Sequence, residues 1–138
     1  MTEPIGSDDG AAERHRALVH EYWRLAEARQ WGSYAELLHP HVVYHLPQTG
    51  ETIRGAERYL RFNTEYPDIW HATVRTVVAD AEGAVSRIDM EVGAETLPAV
   101  SFFTFDSSGL ITGITEFWPE PYQPPAGREH LVEPARHS

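Results

Sequence analysis

An α+β domain, in which one curved and mostly antiparallel sheet wraps around three N-terminal helices as a cone-shaped barrel, is what the middle of this 138-residue chain predicts. Two observations carry that reading. Segments of helical period come early, and four consecutive segments of period two, joined by short polar turns, fill the second half. A third sets the limits. Residues 1–12 are polar and glycine-containing, and residues 120–138 are too rich in proline for a helix or a central strand, so flexible ends flank one domain over residues 13–119.

The elements follow in order. Ala17, Leu18, Tyr22, Leu25 and Ala26 fall at helical spacing, and the stripe runs to Arg29 before Trp31 and Gly32 interrupt it. Ser33 is placed to cap a short second helix, "YAELL", which His39-Pro40 ends. "HVVYHLP" is β-branched and aromatic up to Pro47, which reads as a strand, and "QTGETIRG" follows as a turn with a short extended piece. The third helix is "AERYLRFNTEY", with Tyr59, Leu60, Phe62, Asn63 and Tyr66 on its inner side and Pro67 as its stop. Then come "WHATVRTVVAD", "GAVSRIDMEV", "LPAVSFFTFD" and "LITGITEFW", linked at "AEG", "GAET" and "SSG". A sheet bent over helices encloses a concavity, and apolar concavities are where small organic molecules bind.

Composition removes several chemistries. With no cysteine there is neither a disulfide nor a thiolate, and with no lysine there is no Schiff base, since all 11 basic residues are arginine. A net charge of −10 repels phosphate backbones and anionic lipid, so nucleic acid and membrane surfaces are poor partners. No apolar run approaches the ~20 residues of a bilayer span, and the first residues lack a signal-peptide layout, which leads us to expect a cytoplasmic protein. There is no glycine-rich phosphate cradle and no GxSxG elbow, so the expected chemistry is cofactor-independent. His39, His41 and His45 crowd together in sequence, but Pro40 separates the first two and strand alternation turns His45 away from Tyr44 and Leu46, so no metal site is expected.

The order helix, helix, "VVYHLP", "IRG", a helix ending in "YPDIWH", then a meander containing "FDSSGLITGITEFW" resembles the nuclear transport factor 2-like superfamily in its SnoaL-like branch, over roughly residues 14–120. That superfamily includes ketosteroid isomerases, polyketide cyclases, dehydratases, epoxide hydrolases and proteins without catalysis, so the resemblance implies a fold more sharply than a reaction. Against ketosteroid isomerase, Tyr22 falls at the oxyanion-hole tyrosine, Leu46 replaces the general base, and Ser101 replaces the second donor. These three are then expected to line the cavity. Tyr22 is read equally well as a helix-face ring in packing.

Against limonene epoxide hydrolase, Arg87, Asp89 and Glu116 are similar to the Arg-x-Asp and second acid, and Tyr44 to the tyrosine that holds water, while Leu46 stands in place of an asparagine. The resemblance implies Asp89 as base, Glu116 as acid, Arg87 as bridge and Tyr44 as positioner. Two acids in different protonation states are what epoxide opening by water needs. Alternation leaves a rival reading open. In "SRIDMEV" Ile88, Met90 and Val92 share one face, so Arg87 and Asp89 point to water unless a bulge near "GAET" shifts the register.

Glu116 shares its face with Ile114 and Trp118, so its carboxyl is expected inside the cavity, where desolvation raises its pKa. His71 is a candidate proton shuttle to Glu116, with a strand-end histidine bonded to backbone as the alternative. Tyr59, Phe62, Tyr66, Phe103, Ile114 and Trp118 complete the expected binding walls for an apolar cyclic substrate. The reaction classes are epoxide hydrolysis and related isomerisation or cyclisation, and the alternative is a ligand-binding protein without turnover. The outer face of the sheet should pair two copies as a homodimer.

Overall fold

The computed structural model describes residues 6–133, and the expectations for residues 1–5 and 134–138 lie outside them. Helix α1 (Gly6–Glu27) runs along the concave side of the sheet and begins within the stretch read as flexible. It buries Val19, Tyr22, Trp23 and Ala26, an i, i+3, i+4, i+7 stripe. Its end is a Schellman turn: the Arg29 N–H bonds the Ala26 carbonyl at 3.1 Å and the Gln30 N–H bonds the Leu25 carbonyl at 2.9 Å. Arg29 occupies the left-handed position, φ 59°, that such turns reserve for glycine. Its guanidinium anchors that conformation. It lies 3.9 Å over the Trp70 ring and donates to the carbonyls of Ala26 and Trp70.

Helix α2 (Trp31–Ala35) starts three residues earlier than "YAELL", from a Gln30 cap, and Ser33 lies inside it as a helical residue. Strand β1 (Leu38–Leu46) therefore begins before Pro40. It pairs with β2 (Glu51–Arg54), and α3 (Ala56–Thr64) follows from Gly55, whose φ of 99° turns the chain back over the sheet. The meander is β3 (Trp70–Ala79), β4 (Gly83–Val92), β5 (Glu95–Phe105) and β6 (Ile111–Phe117). The β4–β5 connection is a two-residue hairpin with Gly93 at φ 59°, as a primed turn requires at its first central residue.

The six strands lie in the order β2-β1-β6-β5-β4-β3. Every pairing is antiparallel except β1 with β6, which is parallel, and the curved sheet stays open at β2 and β3. Register decides which residues reach the helices. From Gly83↔Thr104 to Val92↔Glu95 the β4–β5 ladder is unbroken, and the irregularities fall elsewhere, at Val74/Thr76, Thr104/Phe105 and Leu38/Val43. Ala84, Ser86, Ile88 and Met90 thus face inward, each buried. The core is this face packed on α1, and a fully buried Ile88 or Phe103 contributes about 1.5–3 kcal/mol. Over residues 119–133 the chain is exposed, with a short 3₁₀ turn at Glu129–Leu131.

Candidate active site

Between the helices and the concave face lies a cavity of about 310 Å³. Its floor is built by cross-strand neighbours. Ser101 on β5 stands directly opposite Glu116 on β6, and Tyr44 on β1 opposes Ile114, two residues before Glu116 on the same face. The consequence is a three-residue cluster. The Tyr44 hydroxyl donates to Glu116 Oε1, and the Ser101 hydroxyl donates to Oε2 at 2.6 Å. Ser101 is wholly buried behind the carboxyl, whereas Tyr44 and Glu116 line the cavity.

Burial pushes the Glu116 carboxyl above the ordinary 4.5, against the bonds from Ser101, Tyr44 and Trp118, which favour the ionised form. A second polar group sits beside this cluster, where the Tyr59 ring stacks on Tyr44 at 4.6 Å. The Tyr22 and Tyr59 hydroxyls share a short hydrogen bond, and Asn63 Nδ2 donates to the Tyr34 hydroxyl at 3.2 Å. All four phenols here are held above the usual tyrosine range, chiefly by burial. They remain protonated donors. Trp23 Nε1 donates to Ser86 Oγ at 3.0 Å, which satisfies the next inward polar residue of the floor.

The walls are aromatic and aliphatic: Tyr22, Tyr44, Leu46, Tyr59, Phe62, Tyr66 and Trp118 line the cavity, with Phe62 and Tyr66 partly exposed at its rim. Phe103 and Ile114 lie one layer deeper, in the core, where Phe103 packs edge-on against Tyr22 at 5.1 Å. Three other expectations are corrected by position. Arg87 is exposed, and Asp89 bonds Arg75 Nε at 2.7 Å on the outer side, so neither meets Glu116. The register is the reason: with no shift near Gly93, the inward places on β4 go to Ile88 and Met90. His71 is also exposed, with Nδ1 2.7 Å from Glu27 Oε2 rather than beside Glu116.

That Glu27 holds the start of β3 against the end of α1. Partial burial pushes its carboxyl up, but the Ala72 N–H, His71 and Arg29 outweigh this and leave it below the ordinary value. Of the histidines crowded in sequence, His39 Nδ1 accepts the His41 N–H at 2.9 Å and His45 lies 3.0 Å from Thr52 Oγ1. Among the described residues no three potential metal ligands come together. Sequence reasoning missed Tyr34 and Leu97 as lining residues. Tyr34 had a signal, since Trp31 and Tyr34 stand three apart on one helix face.

The comparisons with known proteins bear on this arrangement. A family model described as a SnoaL-like domain matches residues 19–114. A Kribbella flavida protein, provisionally named a ketosteroid isomerase, is similar at 44% identity over 91% of this chain and 93% of its own, with a TM-score of 0.87. The fold is also similar to a steroid delta-isomerase from Pseudomonas aeruginosa, at 20% identity, coverage of 86% and 85%, and TM-score 0.66. An LEH-like epoxide hydrolase from M. tuberculosis is similar at 14% identity, coverage of 78% and 84%, and TM-score 0.67. No protein of curated function matches the sequence. With the family model spanning most of the domain and a relative of nearly the same length at this identity, the chain belongs to the SnoaL-like domain family.

Proposed function

We propose that the cavity binds a small, mostly apolar cyclic molecule and that Glu116 acts on it as a cofactor-independent acid. One observation carries the reading: the carboxyl is buried at the cavity floor with a hydroxyl donor on each oxygen. Burial raises the carboxyl above its ordinary value, which favours its holding a proton, and Tyr44 and Ser101 support the carboxylate left once the proton is given away. An acid needs both. Tyr22 and Tyr59 supply a second donor group among the lining residues, suited to hold an oxygen of the ligand.

The reaction class we favour is isomerisation or cyclisation, with ring opening of an epoxide as the nearest relative. Direct water addition by two carboxylates is less well supported, because Asp89 lies outside the cavity and Leu46 offers no base. The ketosteroid isomerase name of the Kribbella relative and the epoxide hydrolase name of the M. tuberculosis neighbour both belong to acid–base chemistry. The active form in this reading is a homodimer joined through the outer face of the sheet, where Phe102 and Phe117 stack edge-on at 6.0 Å.

Glu116→Gln tests the reading against a panel of cyclic enones and cyclic epoxides. In an enzyme it abolishes turnover and spares binding of the unreacted ligand. Binding without turnover by the native protein, unaffected by the substitution, identifies the non-catalytic alternative.

A further inference from the structure

The charge and lining of the cavity define what it can stabilise. Nine of its sixteen lining residues are aromatic, and Glu116 is the only one with a formally charged side chain. Among the described residues, no arginine or histidine lines it. Arg29 touches the wall only from behind, on Trp70, and is committed there to backbone carbonyls and Glu27. Aromatic faces are the negative part of a ring, so wherever these walls present an open face beside the single acid, positive charge is favoured over negative charge. The surrounding net charge of −10 has the same sign.

The floor adds a second constraint. Each Glu116 oxygen receives one hydroxyl donor, so the carboxylate is solvated in advance for the moment its proton leaves. With Asp89 and Arg87 outside, one carboxyl must serve both halves of any proton cycle. We propose that the reacting species in this cavity is a cation, formed when Glu116 opens a strained cyclic ether such as a cyclic epoxide, and that the same carboxyl then takes a proton back. This deepens the acid reading of Glu116 and rests on it.

The step balances without water or cofactor. Glu116 gives its proton to the ring oxygen, and the C–O bond breaks with its electron pair going to oxygen as a hydroxyl. Positive charge is left on carbon, facing the aromatic walls. The Glu116 carboxylate removes a proton from the neighbouring carbon, and that C–H pair becomes the new C=C bond. An epoxide leaves as an allylic alcohol, and the carboxyl is restored.

Two measurements on the full-length protein test this. The first compares binding of quinuclidinium, its neutral hydrocarbon isostere bicyclo[2.2.2]octane, and the anion bicyclo[2.2.2]octane-1-carboxylate. Quinuclidinium is expected to bind at least about tenfold more tightly than the hydrocarbon and the anion more weakly than both, with the cation's advantage lost in Glu116→Gln and reduced in Phe62→Leu. Phe62 sits at the rim, 37% exposed, so its replacement leaves the core intact. Equal binding of cation and hydrocarbon overturns the proposal.

The second supplies 1-methylcyclohexene oxide in ¹⁸O-labelled water. An allylic alcohol free of label is expected, formed faster than from unsubstituted cyclohexene oxide because the methyl group stabilises the cation. A labelled diol, or no product, overturns it. A diol whose formation still requires Glu116 overturns the cationic rearrangement alone and leaves the acid reading standing, whereas a diol formed equally well by Glu116→Gln removes both.

Discussion

Glu116 sits where its ionisation is costly, and the sign of that cost is testable. Its carboxyl is raised above 4.5 when folded, so the folded state holds a proton that the unfolded chain has lost once the pH passes 4.5. Stability contributed by this group therefore falls as pH rises from 4.5 through the folded value. Glutamine imitates the protonated form. Thermal melts should find Glu116→Gln close to the native protein near pH 4.5 and increasingly the more stable of the two toward pH 8. Ser101→Ala removes the donor to Oε2 and should cost about 1 kcal/mol. It should also raise the Glu116 pKa further, which a ¹³C NMR titration of the carboxyl would follow. An unmoved titration would mean that Ser101 does not support the carboxylate. Glu116 was legible in the sequence because Ile114 and Trp118 share its face. Arg87 and Asp89 were ambiguous because alternation states two faces without saying which is inside, and only the unbroken β4–β5 ladder decides it.

At the scale of elements, local signals located nearly every strand and helix, and the misses fall where distant contacts override them. The composition of residues 6–12 suggests a flexible segment, yet α1 extends through them. Ser33 has the chemistry of a cap, but α2 starts from Gln30 immediately after the Schellman turn, so the serine is carried inside the helix. That turn is held by side-chain contacts the sequence does not announce. Arg29→Ala keeps the left-handed strain and loses the stacking on Trp70 and the bonds to Ala26 and Trp70. Arg29→Gly loses the same contacts but relieves the strain, so glycine should be the less damaging by about 1 kcal/mol in denaturant melts. Glycines separate in the same way. A Cβ on Gly83 would stand 2.6 Å from the Phe103 carbonyl oxygen, so Gly83→Ala should cost about 1–3 kcal/mol, while nothing lies within 4 Å of a Cβ on Gly32, and Gly32→Ala should stabilise by about 0.5–1 kcal/mol.

For the whole molecule, the sheet's two faces divide the work: the concave side is consumed by the helices and the cavity, and the convex side is left with Phe102 at 45% and Val78 at 61% exposure, beside Phe117. Arg75, Arg87, Asp89 and Glu91 share that convex side, so it mixes both charges with apolar groups. We expect two copies to meet there. Phe102→Asp places a charge among the apolar groups without touching the core and should give a monomer by sedimentation, where the native chain is expected to give a dimer. Salt supplies an independent check. Each copy carries a formal charge of −10, so the long-range force between copies is repulsive, while the expected contact is centred on the apolar Phe102 and Phe117. Raising ionic strength from about 0.01 M to about 0.1 M shortens the screening length from about 30 Å to about 10 Å, which removes the repulsion and leaves the contact. The dimer should therefore tighten with added salt. Dissociation by salt would instead mean that Arg75 and Arg87 reach acids across the interface and that ion pairs, rather than Phe102 and Phe117, hold the two sheets together.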